Sequence, residues 1–123
     1  MITLQFIPDQ MLIRLSGFDP EDAALLRDAC LSLSRQEGAS IALHAQPWVN
    51  CADGAALTML ARSWNQDTVR IAASEFEWAL MPAGWDNVAG LIEPFAERMA
   101  HGYQWLNQGP GQVRVLLSPS GMW

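Results

Sequence analysis

The chain has 123 residues, of which 13 are acidic and seven are basic, and a formal net charge of −6. Half of the residues are hydrophobic, which excludes a disordered chain and favours one folded domain over residues 1–123. All of the basic residues are arginines dispersed along the sequence, which argues against nucleic-acid binding. No apolar run approaches the roughly 20 residues needed to span a membrane.

The first third of the chain predicts a hairpin followed by a helix. Residues 2–7 and 11–16 read as strands, separated by a Pro-Asp-Gln turn. Asp19 then precedes Pro20, a pattern that places an N-cap at Asp19 and predicts a helix that runs to about Arg35. The predicted apolar face of this helix consists of Leu26, Ala29, Cys30 and Leu33.

The middle of the chain predicts further strands. An alternating strand covers residues 41–45, a loop covers 48–54, and another strand covers 55–63. A second antiparallel pair follows at residues 69–71 and 76–80. Two acids in this region, Glu75 and Glu77, share one strand face, which we interpret as solvated rather than as an acid and base pair.

A second helix is predicted to begin at the cap signal Gly84-Trp85-Asp86-Asn87. Its apolar face comprises Val88, Leu91, Ile92, Phe95 and Met99. Pro94 predicts a kink or two short helices that meet near Glu93, while His101 lies near the predicted C-terminus and Gly102 is a stop signal. A turn at residues 108–111 precedes a last strand at 113–117.

These elements predict an α+β fold, with one antiparallel or mixed sheet and two amphipathic helices on one face. The two halves share an order of two strands, a helix and a strand, so the sequence is consistent with a duplicated ββαβ unit. In that alignment Gly17-Phe18-Asp19 corresponds to Gly84-Trp85-Asp86. A helix-capping solution that arose twice would give the same pattern, and the sequence leaves both explanations open.

Catalytic chemistry could only be centred on the loop at residues 50–54. A hydrolase could use Cys51 as nucleophile, His44 as base and Asp53 to orient the base. Asn, Asp and Gly are also ordinary turn formers, and no metal, phosphate or nucleotide motif is present. We therefore expect no catalytic residues, no metal and no cofactor. The two cysteines lie in different predicted elements and are expected to be reduced, as in a cytoplasmic protein.

The most unusual feature is the presence of six tryptophans. Tryptophan is the residue most enriched in binding hot spots, although it also closes the ends of sheets and helices. Trp78 and Trp85 have core-like neighbours and are predicted to be buried. The candidate protein-binding residues are Trp48, Trp64, Trp105 and Trp123, together with Asp53 and Asp67.

The C-terminal part contains His101-Gly102-Tyr103-Gln104-Trp105-Leu106 and then Val113-Arg114-Val115-Leu116-Leu117-Ser118-Pro119-Ser120-Gly121-Met122-Trp123. These two segments resemble the tail of small bacterial proteins of the toxin-immunity type. The resemblance implies a small, acidic, non-enzymatic protein that acts by plugging the active site of a toxin. It assigns no role to any single residue.

The sequence as a whole favours a non-enzymatic bacterial protein-binding domain. The most specific version of this hypothesis is an immunity or antitoxin-like protein. The net charge predicts a basic protein partner. One alternative is a small-ligand-binding or structural domain that forms a homodimer along an exposed sheet edge. The other is the small hydrolase that uses Cys51 and His44.

Overall fold

The computed structural model describes residues 1–98, 101–107 and 113–123. In that part of the chain two helices and nine strands form an α+β fold, as the sequence predicts. The strands are β1 (Ile2–Ile7), β2 (Leu12–Ser16), β3 (Ser40–Ala42), β4 (Val49–Cys51), β5 (Ala56–Ala61), β6 (Asp67–Ala72), β7 (Glu75–Leu80), β8 (Gln104–Trp105) and β9 (Arg114–Ser118). The helices are α1 (Pro20–Ser34) and α2 (Pro82–Glu97).

The strands form two mixed sheets, whereas the sequence predicted one. Sheet 1 has the strand order β4-β1-β2-β9-β8, and sheet 2 has the order β3-β5-β7-β6. The prediction of a single sheet was wrong because alternation of side chains identifies the buried face of a strand but says nothing about its neighbours.

Each sheet combines strands from both halves of the chain. The hairpin β1-β2 is antiparallel, and β2 pairs in parallel with β9 from the second half. The hairpin β6-β7 is likewise antiparallel, and β7 pairs in parallel with β5 from the first half. The register also matches, because the fourth residue of β9 lies opposite Leu15 and the fourth residue of β5 lies opposite Trp78. Apart from β4, which pairs with β1 and has no counterpart beside β6, the two halves are therefore equivalent in topology and exchange their last strands.

Helix α1 begins and ends where the sequence predicts. The side chain of Asp19 accepts a hydrogen bond from the backbone N of Asp22 at 2.9 Å, and the Asp22 side chain accepts one from the backbone N of Asp19 at 3.3 Å. Burial alone raises the pKa of Asp22, but hydrogen bonds and the charge of the N-terminal amine outweigh it and lower that pKa. The reciprocal bonds fix the first turn at Pro20.

Helix α2 begins earlier than predicted, at Pro82, so Gly84-Trp85-Asp86-Asn87 lies inside the helix and is no cap. Gly84 instead packs closely against the end of β7, since a Cβ there would lie 3.1 Å from the Cβ of Leu80. The helix continues through Pro94, which is exposed, and therefore does not divide into two short helices. It ends at Glu97, so the predicted stop at Gly102 was also wrong.

The remaining differences concern short elements. The strand predicted at 41–45 stops at Ala42, and Leu43–Ala45 forms a 3₁₀ turn. The loop predicted at 48–54 contains β4, which pairs in parallel with β1. Met99 and the turn predicted at 108–111 lie outside the described residues.

One hydrophobic core is shared by both sheets and both helices. The helices pack against each other and bury matching positions after the prolines that begin them: Ala23, Leu26, Cys30 and Leu33 in α1, and Trp85, Val88, Ile92 and Phe95 in α2. As predicted, Trp78 and Trp85 are buried, with ring centroids 4.8 Å apart. The equivalence of the halves therefore extends from topology to helix packing.

Asn107 ties the two sheets together. Its Nδ2 donates to Oδ1 of Asp67 and to the backbone O of Val113, each at 2.9 Å, and its Oδ1 accepts from the backbone N of Val115 at 2.8 Å. Asp67 begins β6 of sheet 2 with a left-handed φ of 67°, while Val115 belongs to β9 of sheet 1. In the first half His44 has the matching place, since its Nδ1 accepts from the backbone N of Leu57 in β5 at 3.1 Å.

We expect the substitution Asn107→Asp to lower the free energy of unfolding by about 2–4 kcal/mol, because it turns the donor toward Asp67 into a second carboxylate. Chemical denaturation at neutral pH measures this loss. The matched control Asn50→Asp changes an exposed side chain and should stay within about 0.5 kcal/mol of the wild type. Equal losses in both variants would contradict a bridging role for Asn107.

Candidate functional site

The three residues of the hydrolase hypothesis do not form a catalytic relay in the structure. The imidazole Nδ1 of His44 lies 3.1 Å from the backbone N of Leu57 and 3.2 Å from its O, so the backbone of β5 occupies it. The thiol of Cys51 faces the backbone O of His44 at 3.5 Å and not its ring. Asp53 is exposed in the following 3₁₀ turn. The ring of His44 is therefore not positioned to activate the thiol through Nδ1.

Both thiols are in surroundings that disfavour the reactive thiolate. Burial raises the pKa of Cys30 to about 12 from its ordinary 9.0, and burial also raises the pKa of Cys51. A raised pKa is the opposite of what a nucleophilic cysteine needs near neutral pH.

We expect iodoacetamide to leave Cys30 unmodified and to modify Cys51 slowly in the native protein at pH 7, while both react in denaturant. Mass spectrometry of the labelled protein measures this.

Burial of Cys30 also makes stability depend on pH. Because the pKa of this thiol is higher in the folded state, its contribution to the free energy of unfolding is complete below about pH 9 and is lost as the pH rises toward 12. The substitution Cys30→Ala should remove this loss of stability at alkaline pH. In the labelling experiment, rapid modification of Cys51 in the native protein would revive the hydrolase hypothesis.

Within residues 1–98, 101–107 and 113–123, no group of three or more His, Cys, Asp and Glu side chains is placed to hold a metal ion. Neither helix in the described part of the chain is long and apolar enough to cross a bilayer. Glu75 and Glu77 lie on the outer side of β7; Glu75 is exposed and Glu77 lies 3.8 Å from Arg62.

The six candidate binding residues lie in separate parts of the fold. Trp48 is half-buried and packs against the core, and Trp64 is exposed in the loop between β5 and β6. Asp53 is exposed beside β4, while Asp67 is occupied by its bond to Asn107. Trp105 and Trp123 are the two that the structure brings to one surface, the face of sheet 1 that points away from the core.

That face is built across neighbouring strands. Arg14 of β2 lies opposite Leu116 of β9, which lies opposite Trp105 of β8. In the next row Leu12 lies opposite Arg114. The main core contains Ile13, Val115 and Leu117, so Leu12 and Leu116 point to the opposite, outer face of the sheet. Both are nevertheless fully buried. The outer face therefore carries a second, shallow layer of side chains above these two leucines.

The second layer consists of arginines stacked on aromatic rings. The guanidinium of Arg114 lies 4.7 Å from the ring centroid of Trp105, and Tyr103 meets Trp105 edge to face at 6.2 Å. The guanidinium of Arg14 lies 5.7 Å from the ring centroid of Trp123. We call these five residues, Arg14, Tyr103, Trp105, Arg114 and Trp123, the arginine–aromatic face.

Residues 119–123 fold back onto this face. The hydroxyl of Ser118 donates to the backbone O of Met122 at 2.8 Å, and Nη1 of Arg14 donates to the backbone O of Gly121 at 3.0 Å. Gly121 has a φ of 79°, a left-handed conformation that favours glycine and permits the reversal. The tail thereby holds Trp123 against Arg14 while leaving that residue 44% exposed.

The charge on the two sheets differs. The five strands of sheet 1 and residues 119–123 contain two arginines and no acidic residue. The strands of sheet 2 contain Asp67, Glu75 and Glu77. Sequence analysis grouped tryptophans with acids and so missed Arg14, Tyr103 and Arg114. The alternation of Arg114 with Val113 and Val115 does indicate an outward position, but no sequence pattern places it beside Trp105.

No protein-family model, curated protein or solved structure matches this chain.

Proposed function

We propose that this chain is a protein-binding domain that recognises its partner through the arginine–aromatic face. The observation that carries the proposal is the grouping of exposed large side chains on that face: Tyr103 is 49% exposed and Trp123 is 44% exposed. Trp, Tyr and Arg are the residues most enriched in binding hot spots, because they offer large contact areas and directional contacts.

The face is also preorganised. Each arginine is held between a backbone oxygen and an aromatic ring, Arg14 by Gly121 and Trp123, and Arg114 by Gln10 and Trp105. Side chains that are already ordered lose little further freedom when a partner binds, at a saving of about 0.5–1.5 kcal/mol each. This favours recognition of a macromolecule over a purely structural role for the aromatic residues.

The segments that resemble toxin-immunity proteins contribute to the same face. They supply Tyr103, Trp105, Arg114 and Trp123. We therefore extend the proposal to a partner whose activity is blocked when this face covers it, in the manner that the resemblance implies.

The proposal predicts that a protein captured by the tagged chain from its native cells is lost when the face is altered. The double variant Trp105→Ala with Trp123→Ala should weaken binding by about 30-fold or more, since a hot-spot truncation costs at least about 2 kcal/mol. Quantitative mass spectrometry of the captured proteins and titration of the purified partner measure the effect.

Trp64→Ala is the matched control, because Trp64 is 51% exposed but lies outside the face. It should retain the partner with unchanged affinity. Circular dichroism and the thermal midpoint verify that all variants are folded. A partner that is lost with Trp64→Ala and kept by the double variant would contradict the proposal, as would capture of no protein that depends on the face.

A further inference from the structure

We infer that the arginine–aromatic face binds an acidic segment of its partner protein. This inference rests on the proposed function and specifies the chemistry of the partner. It differs from the expectation that the net charge of −6 gives, which is a basic partner.

Arg14 has no carboxylate partner among the described residues. Its described partners are all neutral: the backbone O of Gly121, the side-chain Oε1 of Gln5 and the ring of Trp123. Its Nε is buried without a hydrogen-bond partner among the described residues. Neutral acceptors orient a guanidinium but leave its positive charge uncompensated.

Arg114 is exposed on the same face. Its Nη2 donates to the backbone O of Gln10 at 3.5 Å, and its guanidinium stacks on Trp105, so it too has only neutral partners in the described part of the chain. Other arginines do find carboxylates, since Arg27 pairs with Asp28 and Glu93, both at 3.1 Å. Two arginines that have no carboxylate partner among the described residues thus lie on one face.

The acidic residues that give the chain its net charge of −6 lie outside the strands of sheet 1. The acids of α1 and α2 belong to helices that lie across the core from this face, and a core layer is about 10 Å thick. The Debye length at physiological ionic strength is about 8 Å. Charges behind the core are therefore largely screened at the outer face of sheet 1, where the strands contribute Arg14 and Arg114 and the turn after β1 contributes one acid, Asp9.

A partner segment that matches this face combines acidic and apolar residues. A carboxylate matches the fork of donors on Arg114, while an aromatic or aliphatic residue next to it can contact Tyr103 and Trp123. A segment of alternating acidic and apolar residues meets both requirements. A basic segment would instead bring like charges together, a juxtaposition that costs several kcal/mol at an interface.

The test uses two random copolymers of matched design, one of Glu and Tyr and one of Lys and Tyr, together with oligothymidylate. Each is titrated into the ¹⁵N-labelled protein while the six indole N–H signals are followed by NMR. The Glu-Tyr copolymer should shift the signals of Trp105 and Trp123 and leave those of Trp78 and Trp85 in place. The shifts should diminish as salt is added.

Charge reversal gives the matched variants. Arg114→Glu should weaken binding of the Glu-Tyr copolymer by about 10-fold or more, whereas Arg35→Glu makes the same change of charge at an exposed site just after α1 and should have little effect. Unchanged signals of Trp78 and Trp85 verify that each variant is folded.

The inference is overturned if the Lys-Tyr copolymer or oligothymidylate shifts Trp105 and Trp123 instead, or if the Glu-Tyr copolymer fails to shift them. Shifts of these signals with protein concentration alone would identify a second copy of the chain as the occupant and would also overturn it. The proposed function has a separate readout, because a captured protein can depend on Trp105 and Trp123 even when the acidic copolymer does not bind.

Discussion

The exchange of strands between the two halves is the constraint on which the structure depends. Each hairpin leaves one edge of its second strand without a partner from its own half, and the last strand of the other half pairs there in parallel, β9 on β2 and β5 on β7. Neither sheet is complete without both halves, so the core between them forms as one unit. Asn107 and His44 reinforce this exchange at equivalent places, each accepting a hydrogen bond from the second residue of the exchanged strand.

Sequence reasoning succeeded where structure is determined locally. Both hairpins and the start of α1 follow from alternation and from the Asp19-Pro20 signal, because the groups that interact are close in sequence. It failed at α2 because the helix begins at Pro82 after Met81, which provides no side-chain cap, so the proline was the only local signal of that boundary. The aligned Gly-aromatic-Asp motifs were misleading for the same reason, since the equivalent residues are Pro20 and Pro82.

The candidate site was predictable only in part. The excess of tryptophan drew attention to Trp105 and Trp123, which do share a surface, but also to Trp48, which contributes to the core. Long-range pairing explains what was missed. Arg14 lies beside Trp123 because residues 119–123 reverse over sheet 1, and Arg114 lies beside Trp105 because β8 and β9 pair. Neither contact has a short-range signature in the sequence.

The equivalence of the halves also separates what folding requires from what it leaves open. Leu15 and Trp78 occupy matching core positions, and both are buried, as the shared core demands. The residues before them, Arg14 and Glu77, point to the outer faces and have opposite charges. Glu77 is half-buried beside Arg62, as on an ordinary solvated sheet, whereas Arg14 lies beside the ring of Trp123. The same fold therefore tolerates either kind of outer face, and the arginines and aromatic rings of sheet 1 are the residues on which the proposed binding role rests.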